Sequence, residues 1–239
     1  MFKSSSGLKY YLYVSISKLE MLFQQIASSE KKKKSLEWEA AIGFAKIKYK
    51  GGKETELDMN DKLRIVVQAL NDENLVGTIE EPGDYVKGTL PMKWGLYRDW
   101  GRPAEEPPLV YFGGRTENTI FGFGGSSRHI IGNVGASSTG SRSVTPYLVA
   151  HLLAGLGAPL EGWRADRKEQ GADDRDTFEA IKLASDHLKG PDQPLEFYAK
   201  TLLQGEFRGI KDQRGTKVLL GSPLYVALAS PYPADLSNY

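Results

Sequence analysis

The pattern of apolar and polar residues near the start of the chain predicts a strand followed by a helix. Residues 8–15 (LKYYLYVS) are rich in tyrosine and valine, a composition that favours a buried strand. Apolar residues then recur at a spacing of three and four between Leu19 and Ile26, which predicts one apolar face of a helix. Ser17 stands three residues before Glu20, and this spacing predicts that a capping box begins the helix.

The middle of the chain is predicted to be mostly strand. Residues 35–52 alternate between apolar and polar side chains, and the alternation slips once, as it does at a β-bulge. A second helix is predicted over 59–70, where apolar residues return to helical spacing. A strand, a turn and a long strand are expected over 75–100. Residues 110–125 are predicted to form a hairpin whose turn is the sequence GRTEN.

The last third of the chain is predicted to be helical until its final strand. Helices are expected over 146–156, from Asp176 to the stop at Gly190–Pro191, and over 195–203, where apolar residues again have helical spacing. Residues 217–229 (KVLLGSPLYVALA) are almost continuously apolar. A strand of this kind is usually central and covered on both faces.

Together these elements predict a single α+β domain over residues 1–239, with a mostly antiparallel, twisted sheet covered by helices. The order of strands and helices lacks the strict alternation of a doubly wound sheet. Residues 1–7 are expected to be a disordered N-terminus, 161–176 a flexible charged loop, and 230–239 a C-terminal tail.

Charge and composition exclude several classes of function. The chain has 31 Lys and Arg residues against 30 Asp and Glu, so it lacks the basic excess of a typical nucleic-acid-binding domain. It contains no cysteine, which excludes disulfides, thiolate metal sites and cysteine nucleophiles. The apolar run at 10–14 is too short for a signal peptide, and no stretch is long enough to span a membrane. We therefore expect a cytoplasmic protein with no membrane partner and no nucleic-acid partner.

The segment 121–141 (FGFGGSSRHIIGNVGASSTGS) is rich in glycine and serine and is the best candidate for chemistry. It does not fit the dinucleotide-binding loop, because Ser127 stands where the third glycine of G-x-G-x-x-G belongs. It lacks the closing glycine of the G-x-S-x-G elbow, and the chain contains no G-x-x-x-x-G-K-[ST] loop. The three best-known glycine-rich catalytic loops are thus excluded.

A looser set of functional groups remains in this segment, and it consists of Gly124, Gly125, Ser126, Ser127, Arg128 and His129. The forked guanidinium of Arg128 suits a carboxylate or a phosphate, and glycines let a ligand approach the backbone closely. We therefore predict that these residues bind a small anionic ligand. The competing interpretation is a glycine-rich hairpin tip whose serines bond their own backbone, with Arg128 paired to a surface acid.

No metal site and no cofactor are predicted. His151 and His187 both fall in predicted helices, and neither has a partner at the spacing of metal ligands. The acidic residues flank turns or begin a helix, and none forms the isolated pair of carboxylates that glycosidases use.

Several blocks of the sequence resemble a known family, namely KYYLYVSISKLEMLFQQI, VGTIEEPGDYVKGTLPMKWG, VYFGGRTENTIFGFGGSSRHIIGN, FYAKTLLQG and VLLGSPLYVAL. The chain resembles a family of uncharacterised bacterial proteins, a domain of unknown function, from Leu8 to Leu228. The resemblance implies a bacterial, cytoplasmic protein of one domain. It implies no activity and therefore no catalytic residue.

Three classes of function fit these observations. The leading hypothesis is a non-enzymatic small-molecule-binding or sensory module that uses Gly113–Ser127 together with Arg128 and His129. The enzyme alternative is a hydrolase or transferase in which Ser126 or Ser127 acts with His129. The third class is a protein-interaction or assembly module, in which the loop is structural and an exposed apolar patch binds a second copy or another protein.

Overall fold

The computed structural model of the chain describes residues 9–30, 57–97, 109–132, 174–207 and 215–229. The strands in these ranges are β1 (Tyr10–Val14), β2 (Val76–Gly77), β3 (Tyr85–Tyr97), β4 (Leu109–Arg115), β5 (Thr119–Ser126), β6 (Gln193–Phe207) and β7 (Thr216–Leu228). The helices are α1 (Ile16–Glu30), α2 (Met59–Asp72) and α3 (Asp174–His187), and one turn of 3-10 helix covers Ser127–His129.

Five of the strands close into a barrel. β3 pairs with β4, β4 with β5, β5 with β7 and β7 with β6, and β6 pairs back with β3. Of these five barrel pairs β5 and β7 run parallel and the other four are antiparallel, and β1 adds to β7 in the antiparallel sense. The predicted α+β class is confirmed, with strand as its main component. The predicted mostly antiparallel, twisted sheet closes into a barrel, because β6 pairs with β3 and so joins the two strands that would otherwise be its edges.

The helix predicted over 195–203 is wrong, because this segment is the central part of β6. Leu195, Phe197 and Ala199 belong to the core inside the barrel. The register of β6 against β7 shifts twice, between Tyr198 and Ala199 and again between Thr201 and Leu203. These shifts break the alternation of period two and leave apolar residues at a spacing that imitates a helix. Pairing with β3 on one edge and β7 on the other overrides that local pattern.

Large apolar side chains fill the barrel. They come from all five strands and include Met92, Phe112, Phe123, Phe197 and Leu219. The rings of Phe123 and Phe197 lie 4.8 Å apart between centroids. Small barrels are filled by their own side chains in this way, and the described strands therefore enclose a packed core.

Helix α3 packs on the outer face of the barrel, over β4 and its neighbours. Ile181 and Ala184 contribute to a second apolar cluster that also contains Tyr111 of β4. The Tyr111 hydroxyl lies 3.1 Å from the Ser185 hydroxyl, and burial raises the pKa of this tyrosine. A Cβ at Gly122 would overlap the Tyr111 ring, so glycine is required there for packing. The predicted helix in this region is confirmed.

The chain divides into two compact units. The first unit is Ser15–Val76, and the second consists of Met1–Val14 together with Gly77–Tyr239. In the first unit α1 and α2 pack together, and an ion pair of 2.8 Å joins Lys62 to Glu20. Helix α1 begins at Ile16, one residue before the predicted cap at Ser17, while the predicted second helix is confirmed as α2. No helix of the described residues is long and apolar enough to cross a membrane.

Some predicted elements lie outside the described residues. These are the strand over 35–52, the helix over 146–156, most of the charged loop over 161–176, and the two termini at 1–7 and 230–239. The long strand within 75–100, the hairpin over 110–125 and the strand over 217–229 are confirmed as β3, the β4–β5 pair and β7.

Candidate functional site

The six predicted site residues, 124–129, lie at the end of the barrel where β5 stops. β3 also ends here and β4 begins here, and we call this part of the molecule the barrel end. The hydroxyl of Ser126 accepts a hydrogen bond from the backbone N–H of Arg128 at 3.4 Å and so caps the 3-10 turn. The turn is tied to β1, because the N–H of Ile131 donates to the carbonyl of Leu12 at 2.9 Å.

Packing explains one of the two glycines of the predicted site, Gly125. A Cβ at Gly125 would overlap the Tyr13 side chain, whose Cζ would be 2.9 Å away. The carbonyl of Gly124 accepts a hydrogen bond of 3.1 Å from the hydroxyl of Ser222 on β7. Glycine at 125 is therefore required by a tyrosine of the same chain, and no ligand is needed to explain it.

The four remaining predicted residues differ in access to solvent. Ser127 is fully buried, whereas Ser126, Arg128 and His129 are partly exposed. A nucleophile must reach its substrate, so the buried position of Ser127 does not suit one. The side chains at the surface of this turn are therefore one guanidinium, one imidazole and the capping hydroxyl of Ser126.

A series of contacts between aromatic rings runs from the 3-10 turn to Trp94 on β3. His129 meets Tyr13 edge to face at 5.8 Å, and Tyr13 meets Phe112 in the same way at 5.9 Å. Phe112 stacks with Trp94 at 6.0 Å. The indole N–H of Trp94 donates to the side-chain oxygen of Gln193 at 3.3 Å. His129 thus packs against the same ring that requires glycine at 125.

Exposed apolar side chains gather at the barrel end, a feature that the sequence pattern did not predict. Within the described part of the barrel unit, the exposed large hydrophobic residues are Tyr10, Leu96, Ile131 and Leu228. Tyr10 and Leu228 are register partners where β1 begins and β7 ends. Leu96 belongs to the inward-facing set of β3, yet it is 49% exposed; it lies beyond Met92, where the pairing of β3 with β6 ends. The apolar rim therefore lies at the same end as Arg128 and His129.

A row of four tyrosines crosses the outer face of the barrel, and the sequence analysis missed it. Tyr11, Tyr225, Tyr198 and Tyr85 stand on β1, β7, β6 and β3, and successive rings lie 5.6, 6.1 and 6.1 Å apart. The residues are far apart in the chain, so only the strand register brings them together. The row would have been detectable only with the pairing of β6 already known.

Lysines and one glutamate flank this tyrosine row. The ammonium of Lys9 lies over the Tyr225 ring at 5.4 Å, and that of Lys200 lies over the Tyr85 ring at 4.9 Å. The Tyr225 hydroxyl donates to Glu196 at 2.6 Å. Burial raises the pKa of all four tyrosines from the ordinary value of 10.0. These contacts link the four strands from outside.

The other histidines give no second candidate site. His187 is exposed at the end of α3, where its Nδ1 lies 2.8 Å from the carbonyl of Leu183, and His151 lies outside the described residues. In the parts of the chain that the structure describes, no three His, Cys, Asp or Glu side chains are grouped closely enough to hold a metal ion.

Comparison with known proteins places the chain in a family. The sequence model of a family described as a family of unknown function (DUF7019) matches residues 9–230, so the chain belongs to this family. No curated protein and no solved structure matches the chain. The resemblance seen in the sequence blocks is therefore confirmed, and it transfers no residue role.

Proposed function

We propose that this member of the family is a non-enzymatic binding module that takes a small anionic ligand at Ser126, Arg128 and His129. The observation that carries the proposal is the placement of a guanidinium and an imidazole on one capped turn at the barrel end. An Arg fork binds a carboxylate or phosphate by two parallel hydrogen bonds, and a turn fixed at both sides lowers the entropy that binding costs.

The burial of Ser127 and the capping role of Ser126 favour binding over catalysis. Ser127 is fully buried, and the Ser126 hydroxyl caps the turn by accepting from Arg128 N–H. Activation of a serine nucleophile needs a base that accepts its hydroxyl proton, and the role that the structure gives the Ser126 hydroxyl is that of the acceptor that caps the turn. The hydrolase alternative therefore has less support than a binding role.

An oligonucleotide partner is not favoured either. Five-stranded barrels of the OB type bind such ligands on the face of their second and third strands. The corresponding strands here are β4 and β5, and α3 covers their outer face through the cluster around Tyr111 and Ile181. The chain also has almost as many acidic as basic residues.

A thermal-shift screen tests the proposal. The probes are acetate, octanoate, inorganic phosphate and nucleotides, applied to wild type, Arg128→Gln and the control Arg115→Gln. Arg115 is an exposed arginine paired with Asp186 at 3.6 Å, on the hairpin at the other end of β4. A ligand at about 100 times its Kd stabilises the native state by about 2.7 kcal/mol. We expect a shift that Arg128→Gln abolishes and Arg115→Gln retains; equal shifts in both variants would refute the site.

A further inference from the structure

We draw no further inference here: the strongest candidate, the row that Tyr11, Tyr225, Tyr198 and Tyr85 form on the outer face of the barrel, carries none, because Tyr198 and Tyr225 at its centre are buried and nothing in the residues that the structure describes shows what covers them.

Discussion

The side chain of Tyr13 occupies the space that any side chain on Gly125 would need. The Tyr13 Cζ would be 2.9 Å from a Cβ at this position, and the hydroxyl would be nearer still. The ring cannot move away easily, because Phe112 and His129 contact it edge to face on β4 and on the 3-10 turn. Gly125, one glycine of the predicted ligand site, is thus a component of the barrel core.

Gly125→Ala should therefore lower the free energy of unfolding by about 1–3 kcal/mol, the usual cost of overpacking a core. Chemical denaturation measures this change. Gly95→Ala is the matched control, because its Cβ would meet only a flexible Leu188 methyl at 3.3 Å. Tyr13→Phe should restore part of the stability of Gly125→Ala. An equal loss in the two alanine variants would contradict the packing explanation.

Tyr198→Phe should leave the stability unchanged or raise it by up to about 1 kcal/mol. The Tyr198 side chain is 1% exposed, and among the described residues its hydroxyl has no hydrogen-bond partner. Removing such a hydroxyl removes a desolvation cost. The comparison is Tyr225→Phe, which loses the bond to Glu196 and should cost about 1–2 kcal/mol. If Tyr198→Phe proves the more destabilising of the two in urea, the hydroxyl has a partner after all.

Glu80→Ala should destabilise the turn between β4 and β5. The hydroxyls of Thr116 and Thr119 both donate to the Glu80 carboxylate, the latter at 3.0 Å, and Lys217 donates to its backbone carbonyl at 3.4 Å. We expect a loss of about 1–3 kcal/mol, since two part-buried hydroxyls lose a charged acceptor. Glu80→Gln keeps one acceptor oxygen and should lose less. Hydrogen exchange of the Thr119 amide would report the local opening, and protection as in wild type would argue against this role.

Lys18 should make the stability depend on pH just above neutrality. Burial lowers the pKa of its ammonium from 10.5 to about 8. Between these two values the unfolded chain binds more protons than the native state, so stability rises as the pH rises through this window. The gain should be about 1–3 kcal/mol. Above pH 10 the buried tyrosines act in the opposite sense, because their raised pKa values keep protons on the native state.

Urea denaturation between pH 7 and 9.5 measures the contribution of Lys18 to the pH dependence of stability without that of the tyrosines. Lys18→Met, which keeps the length of the side chain without its charge, should be more stable than wild type at pH 7 and should lose the upward slope. A slope that persists in Lys18→Met would assign the pH dependence to other groups.

Local chemistry was sufficient to predict the elements whose signals lie close together in the chain. The turn sequence between residues 110 and 125 specified the β4–β5 hairpin, and α2 followed from apolar residues at helical spacing. The residues of the candidate site could be predicted only in part from such local signals. The sequence placed Arg128 and His129 on a turn, but their grouping with Leu96 depends on the register of β3 and β4.

The sequence by itself determined the α+β class, most elements from β3 to β7, the family, and the absence of cysteine chemistry. Only the tertiary structure decided the closure of the barrel, the strand identity of residues 193–207 and the reason for glycine at 125. The physical reason is that alternation shows which face of a strand is apolar but not which strand lies beside it. The pairing of Tyr85 with Lys200 joins residues far apart in the chain, and its stability comes from the core that the closed barrel encloses.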